Sequence, residues 1–441
     1  MINNILKNDS LQRINLFLIA ALSSQRYLLQ DVSVLICVIP LIIGIIYLAE
    51  NQKLGNTYLI IALFTCVDIG GPGADFGLTF KETPGLIRYL IYFIILSVIL
   101  IRYKIDIQKI WTPFLLLIMP IIITLSNFFD INFAINSTIL RGDIFVCIMT
   151  FLVLTNSNTK IFRFDNRVLF VFIIFYGFFE IINYLLYYDY TMGYLNYQST
   201  KSLIVFPLIY SLIFEKSNAI KLILFLCTTI VLFGYTTRMI IVSLILTLLI
   251  YYIPRINLKS IIAGSAICII MGISILSRQE QGIEETIKVL DMFQSLISGD
   301  NFFGSLKLID PWRFGELQLL FDRDLFSIFF GEGFGSGIFD SKGYLIFADF
   351  GQTAYSEQEL RSGIFYNMHD LWTDYGLRFG ILFIIIFLYD IIKNIIFSTN
   401  HLKTFYAMLI LILALCAFFS SAGIILITLF YFNYLQIGNY D

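Results

Sequence analysis

Long apolar runs alternate with short polar breaks along most of this chain. Stretches such as SVLICVIPLIIGIIYLAE (33–50) and TPFLLLIMPIIITLSN (112–127) carry almost no charge over the length of a helix. A hydrocarbon core of about 30 Å takes about 20 helical residues, so these runs predict about fourteen transmembrane helices. Their centres fall near residues 20, 41, 63, 94, 118, 147, 178, 207, 226, 245, 267, 383, 411 and 429. The expected fold is all-α and polytopic. The third run, TYLIIALFTCVDIGG, is short and ends in glycines, which fits a broken or re-entrant segment.

Only one polar break is long. Residues 278–374 separate the eleventh and twelfth predicted spans, and connections of such length are usually functional or disordered. Helical periodicity argues against disorder. In GIEETIKVLDMFQSLISGD, Ile283, Ile287, Leu290 and Ile297 recur at helical spacing, and Gly299 with Asp300 ends the run. This predicts an amphipathic helix on the outer membrane surface. A second helix should start at DPWRFGELQLLF, with Asp310 as N-cap and Pro311 as first helical residue. No internal repeat is visible, so residues 1–441 read as one polytopic membrane domain with one large, partly helical external loop inserted.

Composition strengthens the membrane reading. The chain is 58% hydrophobic and 14% charged, against about 25% charged in soluble proteins, and its mean hydropathy is +0.84. A net charge of −2 leaves no concentrated basic surface for nucleic acid. Cys37, Cys66, Cys147, Cys227, Cys268 and Cys416 all lie in apolar runs, so they suggest neither a disulfide framework nor a metal cluster. The first run, Ile14 to Leu29, lacks a small-residue cleavage site and reads as an uncleaved signal anchor.

The positive-inside rule sets the orientation. Lys7, Arg13, Lys53, Arg102, Lys104, Lys109, Lys160, Arg163, Arg167, Lys216, Lys221, Arg255, Lys259, Lys393 and Lys403 fall on one side. The short loops of the other side hold only Arg26, Lys81, Arg88, Arg141, Lys201 and Arg238. Both termini are therefore expected in the cytoplasm and the long loop outside. That loop has sixteen acidic and seven basic residues, so apolar contacts must hold it to the membrane.

Charges at the edge of a bilayer are costly to retain, and each invites a functional reading. Arg141, with Asp143, opens the sixth predicted span, Arg238 opens the tenth in GYTTRMIIV, and Arg313 lies in the first turn of the loop helix. Guanidinium groups hold phosphate through a planar fork that never deprotonates. The plainer alternative is that each arginine snorkels to lipid headgroups. Glu180, in FYGFFEIINYLLYY, is the one acid deep in the seventh span, as a counter-ion or as a helix-packing carboxylate.

IFFGEGFGSGI carries Gly331, Gly333, Gly335 and Gly337. A dinucleotide fingerprint would need a strand–turn–helix context that is missing here. The run reads as a tight backbone turn at the lip of a cavity, where glycine permits positive φ and close approach of a ligand. His369, one of two histidines, sits where the long loop returns to an apolar run in YNMHDLWTDYGLRFG. As a lone imidazole it can be a plain interfacial side chain, but Asp370 and Asp374 stand where they can orient it, and Tyr366 and Trp372 can stack on a sugar ring. General-base work on a hydroxyl uses such an arrangement.

Taken together, TTRMIIV before a span, DPWRFGELQLLF opening a loop helix, FGEGFGSG after it and a histidine shortly before Tyr-Gly-Leu resemble the superfamily of bacterial O-antigen polymerases and O-antigen ligases. The detailed resemblance covers Thr236 to Gly380, and the rest matches as topology. It implies a multispan, GT-C-like glycosyltransferase of the bacterial inner membrane, with the large loop in the periplasm. Its donor and acceptor would be undecaprenyl-diphosphate-linked oligosaccharides, needing no cofactor or metal, with a chain-length-regulating co-polymerase as a further partner. The resemblance makes Arg238 and Arg313 the diphosphate grip and His369 the activator of the acceptor hydroxyl. Arg141 is then an additional phosphate contact, Glu180 and Asp370 lie behind the reacting groups, and Gly331, Gly333 and Gly335 are structural. The family often carries asparagine where Asp370 stands. Polymerisation of lipid-linked repeat units for a surface polysaccharide is the preferred expectation. Transfer to lipid A core by a ligase is the near rival, and a lipid-linked oligosaccharide flippase is the rival from another class.

Overall fold

The computed structural model describes residues 9–24, 33–66, 83–104, 110–127, 162–189, 194–195, 205–214, 216–223, 311–333, 337–348, 357–365, 371–395, 400–416 and 421–437. It also describes positions 106, 145, 148, 149, 151, 152, 155, 226, 244, 247, 248, 355 and 368. The fold is all-α. In chain order the helices are α1 (Asp9–Ser24), α2 (Ser33–Glu50), α3 (Gln52–Cys66), α4 (Thr83–Arg102), α5 (Trp111–Asn127), α6 (Asn166–Tyr187), α7 (Val205–Phe214), α8 (Pro311–Phe321), α9 (Leu325–Phe330), α10 (Tyr344–Ala348), α11 (Glu357–Ser362), α12 (Leu371–Phe379), α13 (Ile381–Ile395), α14 (His401–Cys416) and α15 (Ser421–Ile437). Among the described residues, strand is confined to two-residue pairs: β1 (Tyr188–Asp189) with β2 (Tyr194–Leu195), and β3 (Ile338–Phe339) with β4 (Ile364–Phe365).

Ten of the fourteen predicted span centres fall inside these helices; position 226 is helical too, and the centres near 147, 245 and 267 lie outside the described residues. Among the described residues, no single helix is long and apolar enough to cross a membrane, although the bent pair Trp372–Phe379 and Ile381–Lys393 meets the test together. The amphipathic helix expected at 283–297 and the N-cap expected at Asp310 lie outside the described residues.

The chain divides into two compact units. The first comprises Met1–Phe114, Ile139–Thr247 and Tyr389–Asp441. In it α2 and α3 form a tight helical hairpin. Asn51 caps α3 by accepting from the Leu54 amide at 3.4 Å, and Tyr47 stacks on Tyr58 at 5.6 Å. The two helices are close enough that a Cβ on Gly55 would lie 2.6 Å from the Leu48 nitrogen, so a small residue is obligatory there. An aromatic cluster, including Phe64, Phe170, Phe206, Phe405, Tyr406 and Phe430, binds α3, α6, α7, α14 and α15. Partly buried polar groups tie the same helices together: Asn166 Oδ1 accepts from Tyr406 Oη and, at 3.1 Å, from Asn433 Nδ2. Such satisfied contacts fix register where apolar packing alone would let helices slide.

The second unit comprises Leu115–Thr138 and Leu248–Leu388, and thus contains the long polar stretch. It has its own core, in which Leu319, Leu320, Ile338, Leu345, Phe365, Met368 and Leu377 are buried together. Asp340 caps α10, accepting from the amides of Tyr344 and Leu345 at 2.9 and 2.7 Å, and its own amide donates to Gly363 O at 2.9 Å. α8 begins at Pro311, the first-turn proline expected from sequence.

Between α12 and α13 the chain turns through 118° at Gly380. Gly380 has φ +83, and a Cβ on it would lie 2.0 Å from the carbonyl oxygen of Phe329. Both obstacles are backbone. Gly380→Ala is therefore expected to combine a left-handed strain of about 1–2 kcal/mol with a steric cost of about 1–3 kcal/mol. Thermal unfolding of the purified variant should show a clear drop, and an unchanged transition would contradict this geometry.

Candidate functional site

Three of the segments singled out in the sequence, α8, the glycine-rich turn and α12, meet in the second unit. α8, with Arg313 in its first turn, packs against α10 closely enough that a Cβ on Gly315 would lie 2.9 Å from Tyr344 O. α8 also meets α12, where Gly376 faces the Leu320 side chain. The glycine-rich turn then lies along the end of α12: Glu332 N donates to Leu377 O at 2.7 Å and Gly333 N to Arg378 O at 2.9 Å.

Gly331 and Gly333 have φ +77 and +81, the positive values the sequence suggested. The close approach they permit is to the chain itself. A Cβ on Gly331 would fall 2.3 Å from the backbone carbonyl of Arg378, and one on Gly333 would fall 2.9 Å from the Thr124 amide nitrogen. These two glycines hold the turn against α12 and α5.

A chain of alternating charge runs through this junction. Arg323 Nη1 lies 3.0 Å from Glu332 Oε1, and Arg323 Nη2 donates to Phe339 O at 2.8 Å. Arg378 Nε donates to both carboxylate oxygens of Asp374, at 3.2 and 3.3 Å, and both side chains are only 1% exposed. Asp374, which the sequence set beside His369 as an orienting acid, thus has both carboxylate oxygens on Arg378. Burial pushes the Glu332 carboxyl above its ordinary value of 4.5, while the positive charges of Arg323 and then Arg378 draw it back. The folded state therefore favours the protonated acid. The stabilisation this gives is complete below pH 4.5, the unfolded value, and is lost as pH rises through the raised folded value. Glu332→Gln should gain stability relative to wild type as pH rises across that window, measured by thermal unfolding at several pH values. A pH-independent difference would contradict it.

Glu316, one turn beyond Arg313, is fully buried and accepts a hydrogen bond from Tyr355 Oη at 2.7 Å. The sequence reading missed this pair, as it missed Arg323 with Glu332. The separation of 39 positions between Glu316 and Tyr355 leaves no local signal. Asp374 and Arg378 stand at the i, i+4 spacing that helical ion pairs use, a signal the sequence does contain.

Of the expected site residues, Arg313 is half-buried at the start of α8. His369, Asp370, Arg238, Arg141 and Gly335 lie outside the described residues. Glu180 is on α6, and its side chain lies outside them too. Among the described residues, no group of three His, Cys, Asp or Glu side chains is placed to hold a metal. No protein-family model matches the chain, and neither a curated protein nor a solved structure is significantly similar to it.

Proposed function

We propose that this protein is a polytopic inner-membrane glycosyltransferase that polymerises lipid-linked repeat units of a surface polysaccharide at the periplasmic face. The observation that carries the reading is the convergence of motif segments. The Arg313 helix, the Gly331–Gly333 turn and the helix that starts two residues after His369 pack into one unit, although more than fifty positions separate the first from the last. That convergence is what a site assembled from these motifs requires.

The outward faces of the helices support the membrane part. On α1, Ile14, Phe17, Leu18 and Leu22 are exposed while Leu16, Ile19 and Ala20 are buried; on α2, Ile39, Ile42, Ile45 and Ile46 are exposed opposite Leu41 and Tyr47. Helices apolar all round belong inside a large core or in lipid, and soluble surfaces rarely expose such contiguous patches. The about fourteen crossings, cytoplasmic termini and periplasmic loop belong to this proposal.

In the proposed reaction the acceptor hydroxyl attacks the anomeric carbon of the donor glycan. The bond from that carbon to the diphosphate breaks, and the lipid diphosphate leaves with the electron pair. His369 takes the hydroxyl proton, while Arg238, Arg313 and Arg141 stabilise the departing charge in place of a divalent ion. Purified protein in vesicles, given lipid-diphosphate-linked repeat units and a chelator of divalent ions, should yield lengthened lipid-linked glycan and one free lipid diphosphate for each new glycosidic bond. Substrate recovered unchanged would refute the activity, and dependence on a metal would refute the arginine mechanism.

A further inference from the structure

α9, of sequence LFSIFF, has no buried residue. Leu325, Phe326 and Phe329, at i, i+1 and i+4, share one exposed face, with Leu325 72% exposed, and Phe321 at the end of α8 is exposed as well. The helix itself is firmly built. Asp324 caps it, accepting from the Ser327 amide at 3.0 Å and from Ser327 Oγ at 2.8 Å, and Gly331 N closes it onto Ser327 O at 2.8 Å. A rigid element thus presents three large apolar side chains outward.

Its position identifies what covers them. The Phe329 carbonyl lies against Gly380, the residue at which the chain turns through 118° into α13. α13 is strongly apolar and shows Ile385 outward. If α13 descends into the bilayer, as the proposed function has it, then α9 sits beside the level at which it enters, and α12, turned by 118° from it, runs near the membrane plane. Charge cannot draw this region to anionic lipid, because acidic residues outnumber basic ones sixteen to seven over 278–374. We propose that α9 is an interfacial anchor: Leu325, Phe326 and Phe329 dip into the outer leaflet beside α13 and hold the second unit, with its glycine turn, at the membrane surface. A substrate whose diphosphate lies at the headgroups would meet the site at that height. The inference rests on the membrane reading, but its test separates the two.

Single tryptophans introduced as Phe329→Trp, Phe326→Trp, Ile385→Trp and Glu357→Trp are compared with the parent in vesicles whose lipids carry bromine either high or low on the acyl chains. Interfacial helices bury their apolar face about 5–10 Å into the boundary region. The fluorescence added by Phe329→Trp and Phe326→Trp should be quenched more by high than by low bromine. Ile385→Trp should be quenched by both positions, and Glu357→Trp, on exposed α11, by neither. If Ile385→Trp is quenched and both α9 variants behave like Glu357→Trp, the anchor is refuted, and a protein partner or second copy covers the face instead. If Ile385→Trp is also unquenched, the membrane placement of α13 falls and takes the anchor with it. Using two α9 positions guards against one variant failing to fold.

Discussion

His369→Ala is expected to slow elongation of lipid-linked repeats by about 10²–10⁴-fold, the range a positioned general base contributes. In the proposed reaction the nucleophile is a sugar hydroxyl, which stays protonated at neutral pH, so the proton must go somewhere as the new bond forms. An imidazole titrates nearest that pH, at about 6.5 when unperturbed, and it accepts the proton only when neutral. Wild-type activity should therefore rise with pH through the histidine range and level off, whereas the residual activity of the variant should lose that limb. Donor binding should survive, because the proposed mechanism gives the diphosphate to Arg238 and Arg313. Their replacement by lysine should weaken the grip instead, since lysine keeps the charge but loses the bidentate fork. Elongation at the wild-type rate by His369→Ala would remove the histidine from the chemistry.

The second large effect is expected from Asp374→Ala. Asp374 and Arg378 are each 1% exposed, and both contacts of the pair run from one guanidinium nitrogen to the two carboxylate oxygens. Removing the acid breaks a buried ion pair, which costs about 3–5 kcal/mol. The damage should not stay local, because the Leu377 and Arg378 carbonyls anchor the Glu332–Gly333 turn at 2.7 and 2.9 Å. A sign test separates this from simple loss of packing. Asp374→Leu combined with Arg378→Met removes both charges and keeps volume, so the double variant should unfold at a higher temperature than Asp374→Ala alone. A double variant less stable than the single would show that the guanidinium is held mainly by groups other than Asp374.

How much of this was legible in the sequence depends on the range of the interaction. The all-α class follows from the apolar runs, because a helix satisfies its backbone hydrogen bonds locally and its side chains advertise the environment. The start of α8 at Pro311 and the positive φ at Gly331 and Gly333 are local rules as well. The break at Gly380 is harder to see, since LWTDYGLRFGILF reads as one run entering a span; basic Arg378 followed by glycine is the C-terminal signal within it. What the glycines touch was not legible. The neighbour that forbids a side chain at Gly331 is the backbone of Arg378, and only the fold brings the two together. Glu316 with Tyr355 and Arg323 with Glu332 are invisible for the same reason. The candidate base and the Arg238 half of the diphosphate grip are, by contrast, readings of sequence alone.

The most direct test of the central claim is a gel of surface lipopolysaccharide from cells lacking this protein, run beside their lipid-linked intermediates. The account predicts lipid A core bearing a single repeat unit, with lipid-linked single repeats outside the inner membrane. Bare core together with long lipid-linked polymer would contradict it and mean a ligase, and bare core with single repeats held on the cytoplasmic leaflet would mean that the protein moves the substrate and does not join it.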